Sequence, residues 1–352
     1  MPMTSPQATP PLLSRAECSA LRGLAIIAIV MHNYSHWLRH IVQENEYQYF
    51  QHNVDWLSRV LVHPDGLLPV HILSFFGHYG VPVFLFLSAY GLEQKYAVKE
   101  AGRPYDFVRT HFLKLFKMMI VGFVAFILVD QITPGAHHYA FMDVVAQLGM
   151  FNNLLPSPDK IIWPGPYWFF GLMLQLYIFY RFVIYRRPWT WTVGAIMVCW
   201  LLQVFCDSGG ETLNRLRYNM IGGMLPFGLG VLYSRYGRAL SNRAYDMMMV
   251  VSALCIVFFS YNYQLWYFVP VFICSFSIGL VKSLGRFPLI FNHFVWVGSI
   301  SAALFICHPL TRKILIPISR QGDIYTGLLL YVVASICMAW LFRELLKRIP
   351  NP

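Results

Sequence analysis

The sequence predicts an all-α, polytopic membrane protein, a helix bundle that crosses a bilayer about ten times. Hydrophobic residues make up 57% of the 352 residues and charged residues only 12%, with a mean hydropathy of +0.51. A soluble globular protein carries about 25% charged residues, so lipid is expected to cover much of this surface. An open sheet cannot cross lipid, and no segment shows the two-residue alternation of a barrel, so helices are expected.

The apolar runs that reach roughly 20 residues, the length of a helical crossing, predict the spans. They occupy residues 20–38, 71–92, 115–133, 166–184, 190–206, 218–234, 245–262, 265–282, 294–312 and 325–342. A single membrane domain is therefore predicted over residues 1–352, with a short cytoplasmic tail at about 1–17. No convincing internal repeat is present, which argues against a transporter built from inverted repeats.

The formal net charge of +11 could suggest a nucleic-acid partner, but the basic residues lie in short strips between apolar runs. With the N-terminus inside, 19 of the 27 lysines and arginines fall on the inner side, which predicts cytoplasmic termini. Two long loops, 39–70 and 134–165, are then outer loops that lie partly on or in the membrane. Arg312, Lys313 and Arg320 are exceptions on the outer side.

The cysteine content does not indicate a disulfide or a metal site, and several common catalytic and nucleotide-binding motifs are missing. Most of the seven cysteines lie inside apolar runs, where they are expected to fill the core. The sequence contains no H-E-x-x-H, no Walker loop and no G-x-S-x-G elbow. We therefore predict no metal and no permanently bound cofactor.

The first span places polar side chains where lipid would penalise them. Arg22 lies at the predicted cytoplasmic mouth, His32 about 15 Å deeper, and His36 one turn further. A cation at the mouth and an imidazole at depth suit an anionic cosubstrate and a buried general base. The alternative is an interfacial arginine and a histidine bonded within the bundle, and this span alone does not separate the two.

Other polar groups are candidates for a substrate cavity or for a site that binds anions. The cavity candidates interrupt apolar spans and are His78, Ser88, Trp168, Gln175 and His308. A basic strip that follows the second span contains Arg109, Lys114 and Lys117. Without further context, membrane topology and anionic lipid headgroups explain that strip better than a ligand does.

Taken in order, these segments resemble the acyltransferase-3 family of membrane O-acyltransferases. The family's basic residue, Gly-Leu/Ile-Ala and histidine of the first span correspond to Arg22, Gly23-Leu24-Ala25 and His32. Its second motif resembles Gly80-Val81 through Phe86-Leu87-Ser88-Ala89, and its following basic pair resembles Lys114 and Lys117. A tryptophan-led span resembles Trp168 to Gln175, and the closing motif resembles Gly298-Ser299-Ile300-Ser301 through His308-Pro309. The similarity extends from about residue 15 to 345.

The sequence departs from the family pattern at three points. Nine residues separate Arg22 from His32 where the family usually has ten, which leaves His32 roughly 80° from the arginine face of an ideal helix. Either a local bulge restores the alignment or His36 replaces His32 as the base. Lysines stand where the family commonly has an Arg-x-x-Arg pair, so bidentate phosphate geometry is lost. Gln175 stands where many members have glutamate.

The resemblance implies a bacterial inner-membrane enzyme that modifies surface polysaccharide. Acetyl-CoA or a similar acyl-CoA would bind near Arg22, Arg109, Lys114 and Lys117 from the cytoplasm. His32 would deprotonate a glycan or lipid-linked sugar hydroxyl, or relay the acyl group. We expect the domain to work without a fused soluble domain, or with a partner. The rival interpretation is a transporter or flippase for an anionic or glycan substrate, which leaves the ordered motifs unexplained.

Overall fold

All regular secondary structure that the computed structural model describes, over residues 11–350, is helical. Short 3₁₀ segments occur at Gly77–Tyr79, Asn152–Leu154 and Gly165–Tyr167, and a π-helical turn occurs at Tyr180–Ile184. The α-helices, in chain order, are α1 (Arg15–Ser35), α2 (Gln51–Val62), α3 (Leu68–Phe76), α4 (Gly80–Val98), α5 (Pro104–Ile132), α6 (Phe141–Leu148), α7 (Pro158–Ile161), α8 (Trp168–Phe179), α9 (Trp189–Val204), α10 (Glu211–Tyr218), α11 (Met220–Tyr236), α12 (Asn242–Ser260), α13 (Tyr263–Trp266), α14 (Val269–Leu284), α15 (Pro288–Ser299), α16 (Ser301–Gln321) and α17 (Ile324–Arg348).

The prediction of an all-α polytopic membrane protein is confirmed. By length and composition, six helical segments of the described chain can cross a bilayer: Leu68–Val98, Pro104–Ile132, Gly165–Ile184, Asn242–Ser260, Ser301–Arg320 and Ile324–Arg348. The shorter apolar helices α9 and α14 correspond to two further predicted spans. The two predicted spans that remain, 20–38 and 218–234, correspond to α1 and α11. The total of about ten crossings stays a prediction.

Helix α1 lies inside the bundle and packs against α3, α4, α15 and α16. It begins with a capping box, in which the Ser14 hydroxyl accepts from the Glu17 amide and the Glu17 carboxylate accepts from the Ser14 amide. The helix then continues without a bulge to Ser35. The local bulge that the sequence left open is therefore absent from α1. Of the predicted tail at 1–17, residues 1–10 lie outside the described residues and 15–17 already belong to α1.

The predicted span at 294–312 is not one helix, because the chain breaks at Ile300 between α15 and α16. A Cβ added at Gly298 would lie 1.8 Å from the Ser19 carbonyl oxygen, so α15 is packed closely against α1. The Ser301 hydroxyl donates to the Gly298 carbonyl and satisfies one acceptor at the break. From there α16 packs against α17 and α5 as well as α1. Sequence hydropathy does not show such a break, because both helices are apolar.

Helices α5, α12 and α17 carry the apolar surface that the sequence predicts for contact with lipid. Leu128, Leu254 and Leu329 are large apolar side chains that stay exposed on these three helices. In contrast, Tyr34, Tyr167 and Tyr331 are fully buried in the bundle. Their hydroxyls donate to the Leu315, Ile306 and Val30 carbonyl oxygens, which satisfies polar groups in the interior.

Candidate active site

A cavity of about 190 Å³ lies at the C-terminal end of α1, and we call it the histidine cavity. Of the two histidines that the sequence proposed as bases, His32 lies in the last turn of α1 and His36 caps its C-terminal end. The connection between α1 and α2 closes one side, and the residues between α6 and α8 close another. Its lining residues are Ile29, His32, Asn33, His36, Trp37, Glu44, Glu46, Tyr47, His78, Val81, Asp159, Trp163, Gly165, Pro166, Trp168, Phe169, Tyr218, Phe305 and Arg312.

His32 is fixed by a backbone acceptor on α3. Its side chain is 3% exposed, and its Nδ1 lies 2.8 Å from the Ser74 carbonyl oxygen. A carbonyl oxygen only accepts, so Nδ1 carries the proton and Nε2 keeps its lone pair. Gly77 makes this approach possible, because a Cβ there would lie 2.6 Å from the His32 Cβ. His32 is therefore held in the tautomer that a general base needs.

Glu44 lies close to both His32 and His36. Its Oε1 accepts from His36 Nδ1 at 3.0 Å and lies 4.0 Å from His32 Nε2. The two imidazole rings are tilted, with centroids 4.6 Å apart. Within the described chain, Glu44 Oε2 and His36 Nε2 are buried atoms without a hydrogen-bond partner. A carboxylate at this position can stabilise a proton on either imidazole.

Glu44 and Glu46 both line the histidine cavity but differ in charge at neutral pH. Burial opposes ionisation of Glu44, yet the charges and hydrogen bond of His36, together with His32, hold the pKa of Glu44 well below its usual range. Burial, assisted by the charge of Glu44, raises the pKa of Glu46 to about 8. One site therefore contains a carboxylate and a neutral carboxyl.

His78 and Trp168 lie where the sequence predicted, in the wall of the histidine cavity. The His78 ring is buried, with its centroid 5.6 Å from that of His32, and its Nδ1 has no hydrogen-bond partner among the described residues. Trp168 packs edge-on against Tyr47, which stacks on Tyr218 at 3.9 Å between centroids. These aromatic rings form an apolar wall opposite the polar groups of α1.

A second cavity, of about 230 Å³, contains Arg22, and we call it the Arg22 cavity. Ser88 lies in its wall, so the structure brings together two residues from different predicted spans. Ile29, Phe169 and Phe305 line this cavity and the histidine cavity alike. Three apolar side chains therefore stand at the junction between the arginine end and the histidine end of α1.

The basic strip of α5 lies outside the Arg22 cavity. Leu115 and Met118 of α5 line that cavity, whereas Arg109 and Lys114 are exposed. Lys117 is half-buried and donates from Nζ to the Ile349 carbonyl oxygen at 2.6 Å. Of the four predicted acyl-CoA-binding cations, Arg22 alone lines the cavity.

Gln175 and His308 have partners outside both cavities. Gln175 donates to Asn219 Oδ1 at 2.7 Å and accepts from the Met220 amide at 2.9 Å, which joins α8 to the start of α11. His308 is fully buried and its Nδ1 lies 3.1 Å from the Leu304 carbonyl oxygen. Both residues pack beside the site rather than in its walls.

Sequence reasoning missed Glu44 and Glu46, which lie in a loop that it treated as part of the outer surface. The available signal was two acidic residues within three positions, close to His36, in a chain with only 16 acidic residues.

His32, His36 and Glu44 each offer a ligand atom, and these atoms lie within 4.8 Å of one another, so they could hold a divalent cation. The expectation of no metal stays a prediction.

Comparison with known protein families gives a match over nearly the whole chain. The acyltransferase-3 family model, described as an acyltransferase domain, matches residues 16–344. No curated protein and no solved structure matches the chain. The matched range includes both cavities and every side chain described above as part of their walls.

Proposed function

The chain belongs to the acyltransferase-3 family and is a membrane acyltransferase, and on that premise we propose that it acylates a glycan. The donor is acetyl-CoA or another short acyl-CoA, and the acceptor is a hydroxyl of a cell-surface or lipid-linked sugar. The observation that carries this proposal is the junction of two cavities on α1. One cavity offers a cation for an anionic donor and the other a histidine with a free Nε2.

The donor occupies the Arg22 cavity in this mechanism. Arg22 attracts a phosphate or the thioester oxygen, while Ser88 and Tyr177 supply polar groups beside the acyl-bearing arm. The thioester then reaches the junction at Ile29, Phe169 and Phe305, whose side chains must move apart to admit it. Exposed cations on α5, including Arg109 and Lys114, attract the rest of the nucleotide from solvent.

The chemical step moves one proton and one acyl group. His32 Nε2 takes the proton of the acceptor hydroxyl as the oxygen attacks the thioester carbonyl carbon. The carbon–sulfur bond breaks, and the thiolate that leaves takes the proton from the His32 imidazolium. Glu44 stabilises that imidazolium across 4.0 Å, and His36 holds Glu44 by its Nδ1–H. His36 is the alternative base, since its Nδ1–H donates to Glu44 and its Nε2 keeps a lone pair without a partner among the described residues.

The proposed orientation places the Arg22 cavity toward the cytoplasm and the histidine cavity toward the outer face of the bacterial inner membrane. The distribution of basic residues supports this orientation. A cysteine introduced at Ser157, in the outer loop 134–165, should react with an impermeant maleimide added to intact cells. Labelling only after permeabilisation would reverse the proposed orientation.

The function is tested with the full chain in proteoliposomes that contain acetyl-CoA labelled on its acetyl group. We expect label to move to a hydroxyl of an added bacterial glycan extract, with one free thiol released for each acetyl group transferred. The glycan alone and vesicles without protein are the controls. Movement of glycan or donor across the bilayer without thiol release would support the transporter alternative and contradict the acyltransferase mechanism.

A further inference from the structure

A third cavity opens beside the histidine cavity, and we call it the cation pocket. It has a volume of about 320 Å³, and its walls include Arg312, Lys313 and Arg320 of α16. These three belong to the minority of basic residues that the predicted orientation places on the outer side. Trp37 and Trp163 line both this pocket and the histidine cavity, and so does Arg312. A molecule that fills the pocket therefore reaches the same space as His32.

Arg312 is a buried cation with no acidic partner in the part of the chain that the structure describes. Its side chain is 5% exposed, and within the described chain no carboxylate lies within ion-pair distance of it. Its Nη1 donates to the Asn33 carbonyl oxygen at 3.1 Å and approaches Asn33 Oδ1 at 3.4 Å, and its guanidinium lies 4.8 Å from the Trp37 ring centroid. Burying a cation is costly without a counter-ion, so this arrangement favours an anion in the cavity.

The other two cations differ in how far the protein already compensates their charge. Lys313 Nζ pairs with Asp130 at 2.8 Å and donates to the Gly135 carbonyl oxygen. Arg320 is exposed and donates to the Trp37 carbonyl oxygen at 3.0 Å, which leaves its charge uncompensated. Among the described residues, no carboxylate side chain lines the pocket. Arg312 and Arg320 thus give it a net positive charge.

The aromatic residues add a second recognition element. The Trp37 and Trp163 rings meet edge to face at 6.1 Å between centroids, and Trp163 also stacks on His137 at 5.2 Å. Trp163 Nε1 is buried and has no acceptor among the described residues, so it can donate to a ligand. Indole faces of this kind pack well against the C–H faces of a sugar ring.

We propose that the acceptor is an anionic sugar, whose phosphate or carboxylate binds Arg312 while its ring packs against Trp37 and Trp163 in the pocket wall. Arg312 forms the planar fork that oxyanions prefer, and the shared wall places a neighbouring hydroxyl toward His32 Nε2. This inference rests on the proposed function, because it names the chemistry of the acceptor. The oxyanion belongs either to an acidic sugar or to the phosphate that links a sugar to a lipid.

The binding test uses the full chain in nanodiscs, with four radiolabelled probes measured at equilibrium. They are neutral cellobiose, its uronic acid cellobiouronic acid, glucose 1-phosphate and a polyprenyl-phosphate-linked glucose. We expect the anionic probes to bind at least tenfold more tightly than cellobiose. Binding of all three anionic probes assigns recognition to the oxyanion itself, and binding of the polyprenyl probe alone assigns it to a lipid-linked phosphate. Equal binding of neutral and anionic probes overturns the proposal.

Variants assign the binding to Arg312. Arg312→Gln should weaken anionic probes at least tenfold, since charge-assisted bonds are roughly twice as strong as neutral ones. Arg238→Gln, which removes an exposed arginine outside the pocket, should change binding less than twofold. The thermal unfolding temperature of each variant in the nanodisc reports whether it is folded. If Arg312→Gln does not fold, Arg312→Lys, which keeps the charge and loses the fork, should still weaken anionic probes, and unchanged binding in that variant overturns the proposal.

Two results separate the anionic acceptor from the acyltransferase mechanism. If Arg312 governs anion binding but the wild-type protein transfers no acyl group, the pocket stands and the enzyme mechanism fails. If the wild-type protein acylates neutral glycans and Arg312→Gln does so at an equal rate, the mechanism stands and the anionic acceptor is wrong.

Discussion

Replacing Glu44 with glutamine should slow acyl transfer without unfolding the protein. The substitution keeps a hydrogen-bond acceptor for His36 but removes the negative charge 4.0 Å from His32 Nε2. Two unit charges at that separation attract by about 4 kcal/mol at an effective dielectric constant of about 20. Because the imidazolium is only partly formed in the transition state, about half of that energy is lost, which corresponds to roughly a 30-fold lower kcat.

The assay is steady-state thiol release from acetyl-CoA in the presence of acceptor, with kcat and KM determined separately. The loss should appear in kcat, because Glu44 acts on charge that develops in the transition state. Glu100→Gln is the control, since Glu100 is exposed and pairs with Arg186 on the surface. A Glu44→Gln variant within threefold of wild-type kcat, with its fold intact, would refute an electrostatic role for Glu44.

Three further predictions concern the walls of the two cavities. The pKa of Glu46, raised to about 8 by burial and by the charge of Glu44, means that this carboxyl is neutral below pH 8 and repels an anionic substrate above it. Activity should therefore decline above pH 8, and Glu46→Gln should keep its rate at pH 9; an unchanged alkaline decline contradicts this assignment. Ile29→Ala widens the junction and should raise the rate with butanoyl-CoA relative to acetyl-CoA, whereas Ile27→Ala, at an exposed site on the same helix, should not. In a filter-binding assay, Arg22→Gln should weaken acyl-CoA binding about tenfold or more at all salt concentrations. Arg109→Ala should weaken it only at low salt, because salt screens exposed charges. A loss at all salt concentrations in Arg109→Ala, with a loss only at low salt in Arg22→Gln, would place the donor on α5.

The helical fold was predictable because membrane insertion imposes a strong compositional constraint. Apolar runs near 20 residues identify helices, and each predicted span overlaps at least one. The break at Ile300 was not predictable, because the close contact between Gly298 and Ser19 depends on the packing of α15 against α1. Hydropathy records how apolar a segment is and carries no information about its partner.

The candidate site was predictable where a polar residue interrupts an apolar span. His32, His78 and Trp168 line the histidine cavity as expected, and Arg22 and Ser88 line its neighbour. Glu44 and Glu46 were missed because two acidic residues in a loop are a weak signal, and their place in the site is set only when the chain folds back over the end of α1. The shortened spacing after Arg22 does not require a bulge, because Arg22 and His32 line different cavities that meet at Ile29. A sequence alone cannot separate one shared cavity from two joined ones.

The central claim is that His32, rather than His36, takes the proton of the acceptor. Single-turnover acetyl transfer should be measured for His32→Gln and His36→Gln, with His293→Gln, an exposed helical histidine, as the control. The account predicts a 10²–10⁴-fold loss in His32→Gln, substantial activity in His36→Gln and wild-type activity in His293→Gln. Retained transfer in His32→Gln, with or without loss in His36→Gln, would contradict it.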